Sequence, residues 1–255
     1  MKLALAKNGF RSPCKHVTVP PMKRFVPFLA LIGLALATVL PAADHAAYFL
    51  APGAVDAKAV LPLPPAVGSL AALGDLEAVR QAQVARTPED VAWAKSVEKD
   101  QAFGCAAVLG PWFTPENLPQ TAEFLKRVSA DTEMASHSAK GLFSRPRPPL
   151  TDPTLQPCVD LPGTGSFPSG HSMRAFVWAL VLSDIFPEQR EALLARAHRV
   201  AWGRVMGGVH YPTDVVGGRM LGEAIAAALR KSPVYQAEVE KCRAEAAPFL
   251  LKKAA

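Results

Sequence analysis

Beyond residue 43 the chain lacks any run of 18 uncharged apolar residues. A membrane span needs about 20 such residues, so the body at 44–255 is not expected to cross a bilayer. Cysteine is scarce. Cys14, Cys105, Cys158 and Cys242 are the only four, with no CxxC or zinc-type spacing. That excludes a disulfide-dense scaffold and a structural zinc module. Acidic residues are missing from positions 1–43. Six of the 28 basic residues lie there (Lys2, Lys7, Arg11, Lys15, Lys23, Arg24), which leaves 22 basic against 22 acidic for the rest. The formal charge of +6 therefore does not describe the body, and no surface for nucleic acid as a polymer is implied.

What is present begins with Met22-Lys23-Arg24, followed by the uncharged run FVPFLALIGLALATVLPAA, Phe25 to Ala43. A positive start, an apolar stretch and small residues at its end read as a secretory signal peptide. Cleavage is expected within Leu40–Ala47, and translation from Met22 fits a short leader better than translation from Met1. An uncleaved membrane anchor is the rival reading. The expected organisation is an N-terminal extension and signal peptide at 1–43, an Ala/Pro-rich arm at 44–68 and a helical domain at 69–255. After processing three cysteines remain. An oxidising compartment favours one pair, expected as Cys105–Cys158, with Cys242 on an exposed helix.

Prolines in LPLPPAVG at 61–68 remove donors and fix φ, so the arm is expected to be extended. After it the pattern is all-α. Helices are expected near 69–85, 88–100, 120–143, 169–186, 188–208, 212–231 and 233–246. Thr87-Pro88-Glu89-Asp90 and Thr114-Pro115-Glu116-Asn117 each place a cap residue before a proline at the first helical position. Residues 144–168 form a long Pro-rich loop, and loops of that length in compact domains are often functional.

Helical phase singles out three ionisable residues. His171, Ala175, Trp178, Leu182 and Ile185 share one face; so do Leu193, Ala197, Val200 and Arg204; so do Asp214, Gly218, Leu221, Ile225 and Ala228. Each stripe is apolar except for one group. A charge turned inward must be paired or must bind something. The plain alternative is a structural network in which Arg204 pairs with Asp214 and His171 is satisfied in the core. Lys140 lies off the Leu125–Val128–Ala135–Leu142 stripe, so periodicity places it on the surface. His210 precedes Pro212, and Asp214 four residues on can hold its imidazole in one tautomer or simply favour the helix start. Ser169 and Gly170 open a helix, whose free N–H groups suit either an anion or plain capping.

Lys140-x6-Arg147-Pro148, Pro168-Ser169-Gly170-His171 and Gly203-Arg204-x5-His210-x3-Asp214 occur in that order. Together they resemble the signature of the phosphatidic acid phosphatase type 2 and vanadium haloperoxidase superfamily. Within it the chain looks most like the bacterial class A nonspecific acid phosphatases, over roughly residues 60–246. Gly203 departs from the pattern, which has serine there. A mid-helix glycine also costs about 1 kcal/mol.

The resemblance implies an all-α helical bundle of that type and an exported, periplasmic or secreted acid phosphatase of broad specificity on phosphomonoesters. It also implies an acidic optimum and transfer to alcohols. Lys140, Arg147, Arg204, Ser169 and the Gly170 N–H would bind phosphate. His210 would be the nucleophile, Asp214 its orienting partner and His171 the acid and base. His137 is a spare imidazole nearby. No metal or other cofactor is required, and no membrane partner is expected after signal removal. Homo-oligomer formation is left open. A vanadium-dependent haloperoxidase, a membrane-associated lipid phosphate phosphatase and a non-catalytic phosphate-binding protein are the alternatives.

Overall fold

The computed structural model describes residues 47–254 except 52 and 100. The signal segment, the choice between Met1 and Met22, and Cys14 lie outside the described residues. Among those described there are ten α-helices and no strand: α1 Ala57–Val60, α2 Leu70–Ala85, α3 Pro88–Ser96, α4 Ala106–Leu109, α5 Pro119–Lys140, α6 Pro148–Thr151, α7 Gly170–Ile185, α8 Arg190–Met206, α9 Pro212–Leu229 and α10 Pro233–Ala254. Single 3-10 turns occupy Ala102–Cys105 and Pro187–Gln189. No described helix is long and apolar enough to cross a membrane.

The centre is α7. All but three of its residues are buried, as a helix apolar on nearly every side requires. It packs against α8 on one side and α9 on another, while α3 covers α8 and α5 pairs with α10. Close approach to α9 depends on glycine. A Cβ on Gly218 would fall on the Ser169 carbonyl and within 2.8 Å of Ser172 Cβ; one on Gly222 would stand 2.7 Å from the Met173 carbonyl oxygen. The residues just before Gly170 are thereby set beside the start of α9.

Several expectations are corrected. The arm is not wholly extended: Asp56 caps the one-turn α1, accepting from the Lys58 N–H at 2.9 Å. The arm's start is held by Asp131, which is fully buried and accepts from the backbone N–H groups of Tyr48, Phe49 and Leu50 at 2.8, 2.7 and 3.0 Å. The Thr87 box forms as expected. The Thr114 one makes only a turn, with Thr114 Oγ1 accepting from the Asn117 N–H, and α5 starts later at Pro119. The Cys105–Cys158 bridge is not formed. Cys105 accepts from Arg196 in the main core, whereas Cys158 packs near Ala94, Val159 and Val209. Cys242 is buried, because α10 turns that face onto α5 and α7.

Candidate active site

The long loop and the starts of α7 and α9 meet at one place. Pro212 opens α9 at its first position, so His210 stands just outside the helix and Asp214 in its first turn. Asp214 serves both of the roles anticipated for it. Its Oδ2 accepts from the Tyr211 N–H at 2.9 Å as a cap, and faces His210 Nδ1 at 3.3 Å. A carboxylate there fixes the proton on Nδ1 and leaves Nε2 with its lone pair. Arg147 Nη1 donates towards that Nε2 at 3.1 Å and to the Val209 carbonyl at 2.8 Å. The rest of the Arg147 guanidinium is anchored by the Thr164 carbonyl at 2.8 Å.

Arg204 does not pair with Asp214. Arg145 does, through Nη1 to Oδ1 at 2.6 Å, and its Nη2 meets Asp75 Oδ2 at 2.6 Å. Asp75 also accepts from Thr213, side chain and backbone. Asp75, Arg145 and Thr213 were missed by the sequence reading. The second arginine of SRPRP was the available signal for Arg145; the carboxylate on α2, 70 residues away, offered none.

This leaves Arg204 without a hydrogen-bond partner among the described residues. Its side chain is fully buried, and Nε, Nη1 and Nη2 all lack an acceptor. An unpaired guanidinium in the interior is strongly unfavourable, so the site is built to receive an acceptor. Lys140 joins it. Although at the end of α5, it is half-buried, and its Nζ donates to the Gly165 and Pro168 carbonyls at 3.3 Å each. The surface position expected from periodicity fails because the Gly165–Pro168 loop folds back over the α5 end.

Ser169 is the N-cap of α7. Its Oγ accepts from the Ser172 N–H at 3.3 Å, and its own N–H donates to the Asp214 carbonyl at 2.9 Å. His171 is half-buried. A carbonyl can only accept, so its Nε2–H donates to the Glu98 carbonyl, at 2.8 Å, and Nδ1 is the atom that gains and loses a proton. Glu98 gave no sequence signal, since the contact is through backbone. His137 is exposed. Gly203 faces away from this cluster: a Cβ there would meet Trp93 of α3 at 3.4 Å.

Burial and clustered positive charge shape the titration. Burial, then Arg147, pushes Lys140 down to about 8. Burial lowers Arg147 to about 10, and lowers Arg204 too. Burial and Arg204 hold His171 at about 3; burial holds His210 at about 4 against the pull of Asp214. Burial works to raise Asp214, but its bond with His210 and the charge of Arg145 outweigh this and keep it low. The site is thus a cage of cations around two neutral imidazoles, a charge pattern suited to an oxyanion.

The family model described as PAP2 superfamily matches residues 128–238. A non-specific acid phosphatase of Providencia stuartii is 30% identical over 201 residues, covering 75% of this chain and 81% of that protein. One from Salmonella typhimurium is 34% identical over 143 residues, covering 54% and 57%. Among solved structures, the first transmembrane PAP2 type phosphatidylglycerolphosphate phosphatase from Bacillus subtilis is similar at 24% identity and a TM-score of 0.47, covering 65% of this chain and 87% of that one. With a helical body, an oxyanion cage and a relative matched over most of its length, the chain belongs to the PAP2 superfamily and is a phosphatase of its acid phosphatase type.

Proposed function

We propose that the protein is an exported phosphomonoesterase of broad specificity that works through a phosphohistidine at His210, without a metal ion and with an acidic optimum. The observation that carries this reading is Arg204, buried with no acceptor for its three nitrogens among the described residues. With Arg147 and Lys140 it would surround the phosphoryl oxygens and stabilise charge as it develops. Ser169 Oγ and the Gly170 N–H would add donors at the start of α7.

The chemistry follows from proton positions. His210 Nε2 attacks phosphorus and the bond from phosphorus to the leaving oxygen breaks. That oxygen takes the Nδ1 proton of His171. Water then gives a proton to His171 Nδ1 and attacks phosphorus, the P–N bond breaks, and inorganic phosphate leaves with His210 restored. Asp214 retains the Nδ1 proton of His210 at the start and stabilises the charged ring in the intermediate. A phosphate dianion in the cage would raise His171, which must be protonated to act as the acid; this supports an acidic optimum. Export rests on the N-terminal segment, which reads as a leader. The cage is lined by three cations where a metal enzyme would have carboxylates, which supports independence from metal.

The test is hydrolysis of p-nitrophenyl phosphate by the purified body, with and without a chelator. Activity that persists with chelator and falls by about 10³-fold or more in His210→Ala is expected. Full activity in His210→Ala would sink the assignment of the nucleophile, and loss with chelator would sink metal independence.

A further inference from the structure

Asp75 is the one charged residue on the buried face of α2, where its companions are Leu76, Val79 and Ala82. A carboxylate placed among apolar residues needs partners, and Asp75 takes three donors. Its Oδ1 accepts from the Thr213 N–H at 3.2 Å. Its Oδ2 accepts from the Thr213 hydroxyl, and from Arg145 Nη2 at 2.6 Å. Arg145 Nη1 then donates to Thr213 Oγ1 at 2.7 Å and to Asp214 Oδ1 at 2.6 Å. Asp75, Arg145, Asp214 and His210 are thus linked in that order, with carboxylate and cation alternating up to the imidazole.

Asp214 faces positive groups on two sides. Arg145 takes Oδ1, which leaves Oδ2 for the Tyr211 N–H and His210 Nδ1. Lys140 and Arg147 also feel its charge. When His210 Nε2 bonds to phosphorus and Nδ1 keeps its proton, the ring becomes a cation, and Asp214 is the carboxylate that meets it. Arg145 alone would cancel that carboxylate. Two carboxylates and one guanidinium leave one negative charge; without Asp75 the sum is zero. Asp75, Arg145 and Asp214 are all buried, so water screens this difference weakly.

We infer that Asp75 is a positioning residue for the nucleophile and acts through Arg145: by neutralising the guanidinium it leaves the charge of Asp214 to the His210 ring. The inference rests on the phosphohistidine mechanism above and adds to it a residue 135 positions from the nucleophile.

Asp75→Asn keeps the shape and removes the charge. Its kcat/KM for p-nitrophenyl phosphate covers the steps through release of p-nitrophenol, and so through phosphorylation of His210. It is expected to fall by about tenfold, an ordinary coupling for members of one network. Inhibition by inorganic phosphate should stay as strong as in the wild type or strengthen, because Lys140, Arg147 and Arg204 are untouched and an opposing carboxylate is gone. A residue that only supported the fold would weaken rate and inhibition together. Adding Asp75→Asn to Arg145→Met should cost less than about twofold more, since the group it acts through is absent. Wild-type kcat/KM in Asp75→Asn overturns the inference. So does loss of phosphate inhibition, and so does a tenfold cost repeated in the Arg145→Met background, which would mean that Asp75 acts without Arg145. Full activity of His210→Ala in the same assay would instead remove the phosphohistidine mechanism, a distinct result.

Discussion

Arg204 and Arg145 are both buried arginines, and they differ in one respect. Arg145 lies between two carboxylates, Asp75 and Asp214, with its guanidinium 4.0 Å from the centre of the Tyr211 ring. Arg204 has no acceptor among the described residues. The first is held by its partners; the second is held in spite of having none. Replacing an unpaired buried charge with an apolar side chain of similar length is often neutral or stabilising. Arg204→Met is therefore expected to melt at or above the wild-type temperature. Its hydrolysis of p-nitrophenyl phosphate should fall by about 10²-fold or more, the usual cost of removing one donor to a developing oxyanion. The pairing of higher stability with lower activity is what a purely structural arginine would not show, and thermal melts beside kcat/KM check it.

Between helices, the decisive contact is that of α7 with α9. Ser169 and His210 come from segments 41 residues apart, and the Ser169 N–H reaches the Asp214 carbonyl only because Gly218 lets the backbones touch. Gly218→Ala is expected to cost about 1–3 kcal/mol through overpacking and to lower activity by separating cage from nucleophile. Gly203 offers the contrast. A Cβ there meets Trp93 at 3.4 Å, ordinary contact, and alanine gains up to about 1 kcal/mol in helix propensity. Gly203→Ala should leave both melting temperature and activity nearly unchanged. Urea unfolding and phosphatase assay of both variants test this, and a large loss in Gly203→Ala would contradict it.

For the whole molecule the cage makes stability depend on pH. His171 and His210 titrate near 3 and 4 in the folded site, below their ordinary 6.5. The unfolded chain therefore takes up these protons first as pH falls. This contribution to stability is complete above about pH 6.5 and is lost progressively towards pH 4 and below. Melting temperature should drop over that window, and inorganic phosphate should reduce the drop, because an oxyanion among the cations raises both imidazoles. Melts from pH 4 to 8 with and without phosphate measure it. A profile flat from 6.5 to 4, or one that phosphate leaves unchanged, would count against two neutral histidines held below their ordinary range.

The order of motifs from Lys140 to Asp214 and the 3.6-residue apolar stripes were legible in the sequence, because ligand spacing and helix phase are local properties. They placed His210 beside Asp214, turned Arg204 inward and located the start of α7. The sequence was silent wherever a partner came from far along the chain. It could not choose Arg145 over Arg204 as the mate of Asp214, since that choice depends on Asp75 reaching Arg145 from α2. It misplaced Lys140 because its loop partners lie 25 and 28 residues away. It paired Cys105 with Cys158 by counting, whereas packing sends the two thiols to different clusters. Local periodicity determined which residues face inward; only tertiary packing decided what each one meets there, because a buried charge is defined by its neighbours and those arrive through chain closure.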